Sequence, residues 1–201
     1  MRYFLTIAVL VFFSLLSTAQ EFNGGLLGGL STSEISGDFI TGPSKAGLYL
    51  GIFTNLYMSK KSSLELELNY VQKGSRKNPD SADVTEYLLR LHYMEMHMLY
   101  KFDLKKFTFE AGPSLGYLMH SYEEADYFVL DEPFNPLDFS VGIGMYYAIT
   151  TNLKVNVRYS NTLFFPVRDR PSGDTYFLRK GQYNEVLSLV LHYTFFHGKQ
   201  R

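Results

Sequence analysis

Glu65 and Glu67 stand two residues apart in the segment Ser63-Leu64-Glu65-Leu66-Glu67-Leu68-Asn69-Tyr70. On an extended chain this puts their Cα atoms about 6.6–7 Å apart on one face, a spacing at which two carboxylates can share acid–base work. The same groups have a plainer use, which we adopt: neutralising Lys73, Lys101, Lys154 and Arg158. Charges shielded from bulk water are costly unless paired and hydrogen-bonded. His97, His120 and His192 are expected to face the same interior, but no two histidines stand at i,i+2 there. They are read as hydrogen-bonding groups and not as a convergent metal site. His120 and Ser121 are adjacent, and neighbours on a strand point to opposite faces, so they do not make a base and its nucleophile. No Gly-x-Ser-x-Gly elbow occurs. Gly142-Ile143-Gly144 lacks the third glycine of a dinucleotide loop and lies inside an alternating run. Cysteine is absent, which excludes disulfides, thiolate metal sites, a thiol nucleophile and a lipid anchor on an N-terminal cysteine. The chain is read as non-enzymatic, with no cofactor and no metal.

The elements that position these residues follow a period of two. Leu64, Leu66, Leu68 and Tyr70 oppose Glu65, Glu67 and Asn69, and only a strand separates them so. Tyr93–Phe102, Phe107–His120, Asp138–Ile149, Leu153–Asn161 and Glu185–Phe195 repeat the pattern, and Phe22–Ser36 and Ala46–Met58 are glycine-rich, weaker versions. That makes eight strands. Their polar faces mix small residues with charges of both signs, as the interior of a narrow barrel requires, since eight strands enclose just enough room for side chains. The charged set expected inside is Glu65, Glu67, Glu95, Lys101, Glu110 and Arg158.

The connections alternate in length. Residues 59–62, 103–106 and 150–152 are short; 37–45, 74–86, 121–137 and 165–182 are long. Outer-membrane barrels have short periplasmic turns and long extracellular loops. Tyr57, Tyr100, Phe102, Phe107, Tyr147, Phe195 and Phe196 lie near the short-turn ends, and Tyr117, Tyr122, Phe139, Phe164 and Tyr183 near the long-loop ends, as two aromatic girdles would. Among the long loops, Glu123, Glu124 and Asp126 make one acidic, suited to a cation, a basic partner or a glycan. Arg168, Arg170, Arg179 and Lys180 make another basic, suited to lipopolysaccharide phosphates.

The N-terminus carries an address. Arg2, an uncharged apolar run from Tyr3 to Leu16, and Ser17-Thr18-Ala19 form the layout of a signal peptide over residues 1–19, leaving 20–201 as the barrel domain. The 201 residues suit one domain, and 19 basic against 20 acidic side chains give no basic face for nucleic acid. Mean hydropathy is near neutral, far below a helical membrane protein and as expected where lipid-facing and lumen-facing residues alternate.

Several short motifs stand in a recognisable order. Gly28-Gly29-Leu30-Ser31-Thr32 is followed by Ser36-Gly37-Asp38, then Leu66-Glu67-Leu68-Asn69-Tyr70-Val71-Gln72-Lys73-Gly74, then Tyr93-Met94-Glu95-Met96-His97-Met98-Leu99-Tyr100-Lys101, then Ala111-Gly112-Pro113-Ser114-Leu115-Gly116-Tyr117-Leu118, then Arg158-Tyr159-Ser160. On these the chain resembles the PorT family of Bacteroidetes outer-membrane barrels over nearly its whole length after the signal peptide. It departs from that family at His97, where proline is common, and in the tail His197–Arg201, which runs past the usual aromatic end. The resemblance implies the fold and the location, and a link to type IX secretion and gliding, in which the family's named member takes part.

The expectation is therefore an all-β protein, an eight-stranded antiparallel up-and-down transmembrane β-barrel in the bacterial outer membrane, with both termini periplasmic. Its partners are outer-membrane lipid and lipopolysaccharide, the outer-membrane assembly machinery and an envelope protein at its loops, with no nucleic acid. Its role is structural or binding. The alternatives are a narrow pore or transporter, and a soluble periplasmic lipocalin-like binding barrel in which the Met94, Met96 and Met98 face is covered by protein.

Overall fold

The structure, a computed structural model, describes residues 22–38, 45–79, 84–169 and 181–197; the expected signal peptide, Arg170, Arg179 and Lys180 lie outside them. Nine strands form in chain order: β1 (Phe22–Ser36), β2 (Lys45–Tyr57), β3 (Ser62–Lys77), β4 (Tyr87–Leu104), β5 (Phe107–Ala125), β6 (Phe128–Leu130), β7 (Leu137–Ala148), β8 (Leu153–Thr162) and β9 (Tyr183–His197). Each pairs antiparallel with its neighbours, and the pairings β4–β5 and β1–β9 close eight of them into a ring. Closure removes the open edges that an all-β sheet otherwise exposes. The three-residue β6 is outside the ring and pairs with the far end of β5.

Turn chemistry fixes the registers. Ser59 Oγ accepts from the amides of Lys61 and Ser62, at 3.2 and 3.1 Å, and holds the β2–β3 turn. Thr150 Oγ1 does the same for Asn152 and Leu153 between β7 and β8. Between β4 and β5, Lys105 takes a left-handed φ of 61° to close the tightest turn. Pro113 lies in β5, and the β4–β5 ladder skips Met98 and Leu99 beside Gly112 and Pro113; proline has no N–H to offer a ladder.

Alternation puts the apolar faces outside. Met96 and Met98 are 55% and 49% exposed, so among the described residues that face lacks the protein cover that the soluble alternative requires. Several strands are longer than the sequence pattern indicated; the two longest, β4 and β5, have 18 and 19 residues, against the roughly 9–11 needed to cross a bilayer. At the long-connection end β3 runs on to Lys77 and β5 to Ala125, which shortens the loops expected at 74–86 and 121–137.

One residue resets the parity of β5. His92 pairs with His120, but Tyr93 pairs with Leu118, so Met119 is an extra residue in the strand. A bulge of this kind moves every later side chain to the other face. His120 is therefore exposed, and not in the lumen as expected, while Glu123 turns inward and is 2% exposed. Two girdle assignments also change: Tyr57 lines the interior, accepting from Asn23 Nδ2 at 3.1 Å, and Tyr183 is buried.

Candidate functional site

The lumen is filled by stacked layers of side chains, and its centre is built around Arg158. On β8 the alternation points Arg158 and Asn156 inward while Val157 and Tyr159 face out. Arg158 Nη1 and Nη2 donate to Glu67 Oε2 and Oε1, both at 2.7 Å. Its Nε donates to Glu110 Oε1 at 2.7 Å and Nη2 to Glu110 Oε2 at 3.0 Å. One guanidinium thus serves two carboxylates, the two-pronged geometry that only arginine provides. Tyr49 and Tyr146 hydroxyls accept from the same group at 3.0 and 3.3 Å, and Asn156 Nδ2 donates to Glu110 Oε1 at 2.8 Å. Beside this cluster Lys101 pairs with Glu65, and its ammonium lies 3.8 Å from the centre of the Tyr146 ring.

A second layer lies nearer the long connections. Lys73 Nζ sits 2.5 Å from Glu95 and 2.8 Å from Asp138. Asp138 also accepts from Ser140, Thr162 and Asn184, at 3.0, 2.8 and 2.8 Å. His97 Nε2 lies 3.1 Å from Glu95. Above this layer the interior turns apolar: Ile35, Val71, Leu89, Leu91 and Val167 are fully buried. Their side chains pack with Tyr87, Leu118 and Phe134.

The mouth at the long-connection end is closed by Arg168. It pairs with buried Glu123 and, at 3.0 Å, with the more exposed Glu132, and its guanidinium lies 3.8 Å from the centre of the Phe134 ring. The Tyr87 hydroxyl donates to Glu123 at 2.6 Å, and the Arg168–Gln182 bridge ties the segment to the start of β9. At the opposite, short-turn end a polar cavity of about 210 Å³ remains, lined by Asn23, Asn55, Tyr57, Lys101, Asp103 and Lys154 among others.

All six residues expected in the charged interior, Glu65, Glu67, Glu95, Lys101, Glu110 and Arg158, are buried there: Lys101 pairs with Glu65, Arg158 with Glu67 and Glu110, and Glu95 with Lys73. Lys73 and Asp138 belong with them. Asp138 was legible from the same alternation, because it precedes the outward Phe139 as Ser140 follows it. The residues expected on the loops divide. Glu124 accepts from the Tyr122 hydroxyl at 2.7 Å, and Asp126 sits in a tight turn with φ 48°, accepting from the Glu86 amide at 3.0 Å. Glu123 and Arg168, expected to meet external partners, instead meet each other inside the mouth, because the bulge turns one inward and the returning chain carries the other over the opening.

The fold also brings together a set that the sequence separates: Glu65, Glu67 and His192 each present a ligand atom within 4.8 Å of the others. The set does not fit a resident cation. Glu65 is held by Lys101 and Glu67 by both prongs of Arg158, so an ion would have to displace two fixed positive charges. His192 is instead packed between the rings of Phe53 and Tyr146, at 5.2 and 4.9 Å.

Among solved structures the chain is similar to Ail of Yersinia pestis, at 10% identity and a TM-score of 0.49, over 88% of this chain and 99% of that one. Neisserial surface protein A matches at 15% identity and a TM-score of 0.49, over 87% and 97%. OprG of Pseudomonas aeruginosa matches at 13% identity and a TM-score of 0.39, over 88% and 95%. No curated protein matches the chain in sequence. The family described as the outer membrane protein beta-barrel domain matches residues 5–195, and with that span and a closed antiparallel ring carrying its apolar face outward, the chain belongs to this family of outer-membrane β-barrels.

Proposed function

We propose that the protein is a closed, non-enzymatic barrel that serves as a structural or binding component of the envelope. In this reading its short turns and both termini are periplasmic, residues 1–19 are removed on export, and the long-connection end faces outward. The observation that carries it is the Arg158 bridge: a cation on β8 reaches across the lumen to Glu67 of β3 and Glu110 of β5, and the Arg168 pairs close the mouth above it. A carboxylate bound to a cation in this way is a plug and not a free base. The asymmetry of short turns and long connections supports the orientation. Lipid and lipopolysaccharide surround the apolar band, the outer-membrane assembly machinery inserts it, and an envelope protein is met at the outer loops.

The test is membrane fractionation of the full chain, electrophoresis with and without boiling, and conductance in planar bilayers. Outer-membrane residence, a heat-dependent mobility shift and no current above background are expected. A soluble periplasmic product without the shift overturns the membrane reading, and steady single-channel current overturns the closed lumen in favour of a narrow pore. Protease added to intact cells should cut only within the long connections; cleavage at residues 59–62 overturns the orientation. Participation in type IX secretion is supported by the motif resemblance, and a deletion strain that exports its cargo normally overturns it.

A further inference from the structure

On the outside of the barrel, the apolar runs of β3, β4 and β5 end together. Tyr70, Met94 and Tyr117 stand side by side in register, and on the next row toward the long connections stand Gln72, His92 and His120. The row is knitted by hydrogen bonds. Gln72 Oε1 accepts from the Leu48 amide at 3.4 Å, and its Nε2 donates to the Tyr70 hydroxyl at 3.0 Å. The Tyr70 hydroxyl lies 2.5 Å from His92 Nδ1. With Tyr70 as the donor, a neutral His92 carries its proton on Nε2, where it is a donor away from Tyr70. The His120 ring lies 5.6 Å from the His92 ring. One row further out, Arg90 is exposed, paired in register with Tyr122, and has no carboxylate partner among the described residues.

The opposite wall is different. Its first charged row above the apolar band is acidic: Glu34 of β1 and Glu185 of β9 are paired in register, and Glu185 accepts from the Tyr159 hydroxyl at 2.9 Å. The first charged side chain above the apolar band is therefore basic on one wall and acidic on the other; Glu124, held by the Tyr122 hydroxyl, stands one row beyond Arg90. Donors clustered at that boundary match a phosphate, which accepts several hydrogen bonds at once and is bound more strongly by cationic donors than by neutral ones. Half-shielding by the bilayer strengthens such contacts further.

We infer that the outward row Gln72–His92–His120, with Arg90 above it, is a docking site for the phosphorylated headgroup of an outer-leaflet lipopolysaccharide. The inference rests on the outer-membrane reading and its orientation. Native mass spectrometry of the folded full-length barrel in detergent tests it. The probes are lipid A with its phosphates and lipid A from which the phosphates have been removed. The wild-type barrel should retain the phosphorylated form at a roughly tenfold lower lipid concentration, the gain of about one charge-assisted hydrogen bond. The R90Q/H92Q/H120Q variant should lose that preference and E34Q/E185Q should keep it. The heat-dependent mobility shift reports folding of each variant, and the single, exposed Arg90→Gln change, which should weaken the preference in part, covers the case in which the triple variant does not fold. Equal retention of the two lipids by the wild type, an unchanged preference in the variants, or displacement by millimolar inorganic phosphate alone overturns the docking site. Fractionation scores the membrane reading separately, so a barrel that reaches the outer membrane but shows no preference counts against this inference alone.

Discussion

Arg158 and Glu67 meet across the full width of the barrel. β8 and β3 stand on opposite walls of the ring, 91 residues apart in the chain at these positions, and are joined by two hydrogen bonds of 2.7 Å. Each residue is nearly inaccessible to solvent, at 2% and 1% exposure. A buried pair of this kind is a weak source of net stability, because desolvating both charges offsets most of their attraction, whereas breaking it leaves a bare charge.

Arg158→Met should therefore destabilise the barrel by about 3–5 kcal/mol, since Glu67 and Glu110 both lose their cation. The triple variant E67Q/E110Q/R158M should recover most of that loss. Urea unfolding in detergent, read by the electrophoretic shift, checks both; a single variant as stable as the parent would show that the bridge is dispensable.

Glycines on β7 and β5 leave lumen volume for these long side chains. A Cβ on Gly144 would lie 2.4 Å from Glu110 Oε1 and 2.9 Å from the Val157 carbonyl oxygen. Gly144→Val should push Glu110 off Arg158. In a double-mutant cycle with Glu110→Ala the two costs should be less than additive, with a coupling of about 0.5–3 kcal/mol. Strict additivity would place the Gly144 effect in the backbone contact alone.

The outward face should respond to charge by depth. Met96→Arg, within the apolar band of β4, should cost about 2–4 kcal/mol in phospholipid vesicles, and Leu88→Arg, beyond the polar row on the same strand, about 0–1 kcal/mol. Reversible unfolding from vesicles measures both. Equal costs would mean that position 96 does not lie in hydrocarbon.

Arg168→Ala should open the mouth without opening the lumen. Glu123 loses its cation and the Phe134 ring loses its cover. Amide exchange should quicken across 131–136 and 163–169, while β3 and β8 remain protected and the bilayer current stays at background. Unchanged exchange in both segments would show that Arg168 does not hold them.

Much of this was legible in the chain because strand geometry is local. Leu64 to Tyr70 alternate in type, and a strand must send alternate side chains to opposite faces, so the lumen positions of Glu65, Glu67, Glu95, Lys101, Glu110 and Arg158 follow from their own neighbours. The eight ring strands and the short turns at Ser59 and Thr150 follow in the same way. Local pattern thus sets the existence of the ring strands, their two faces and the alternation of short and long connections. The tertiary structure alone decided which charges meet. Closure of the ring selected Glu67 and Glu110 as partners of Arg158, when Lys73 and Lys101 lie closer to those carboxylates in the chain. It also decided where parity breaks: one extra residue at Met119, set by pairing with β4, sends His120 outward and Glu123 inward to Arg168. A bulge and a closure register depend on contacts between strands far apart in sequence, and alternation within a single strand carries no trace of them.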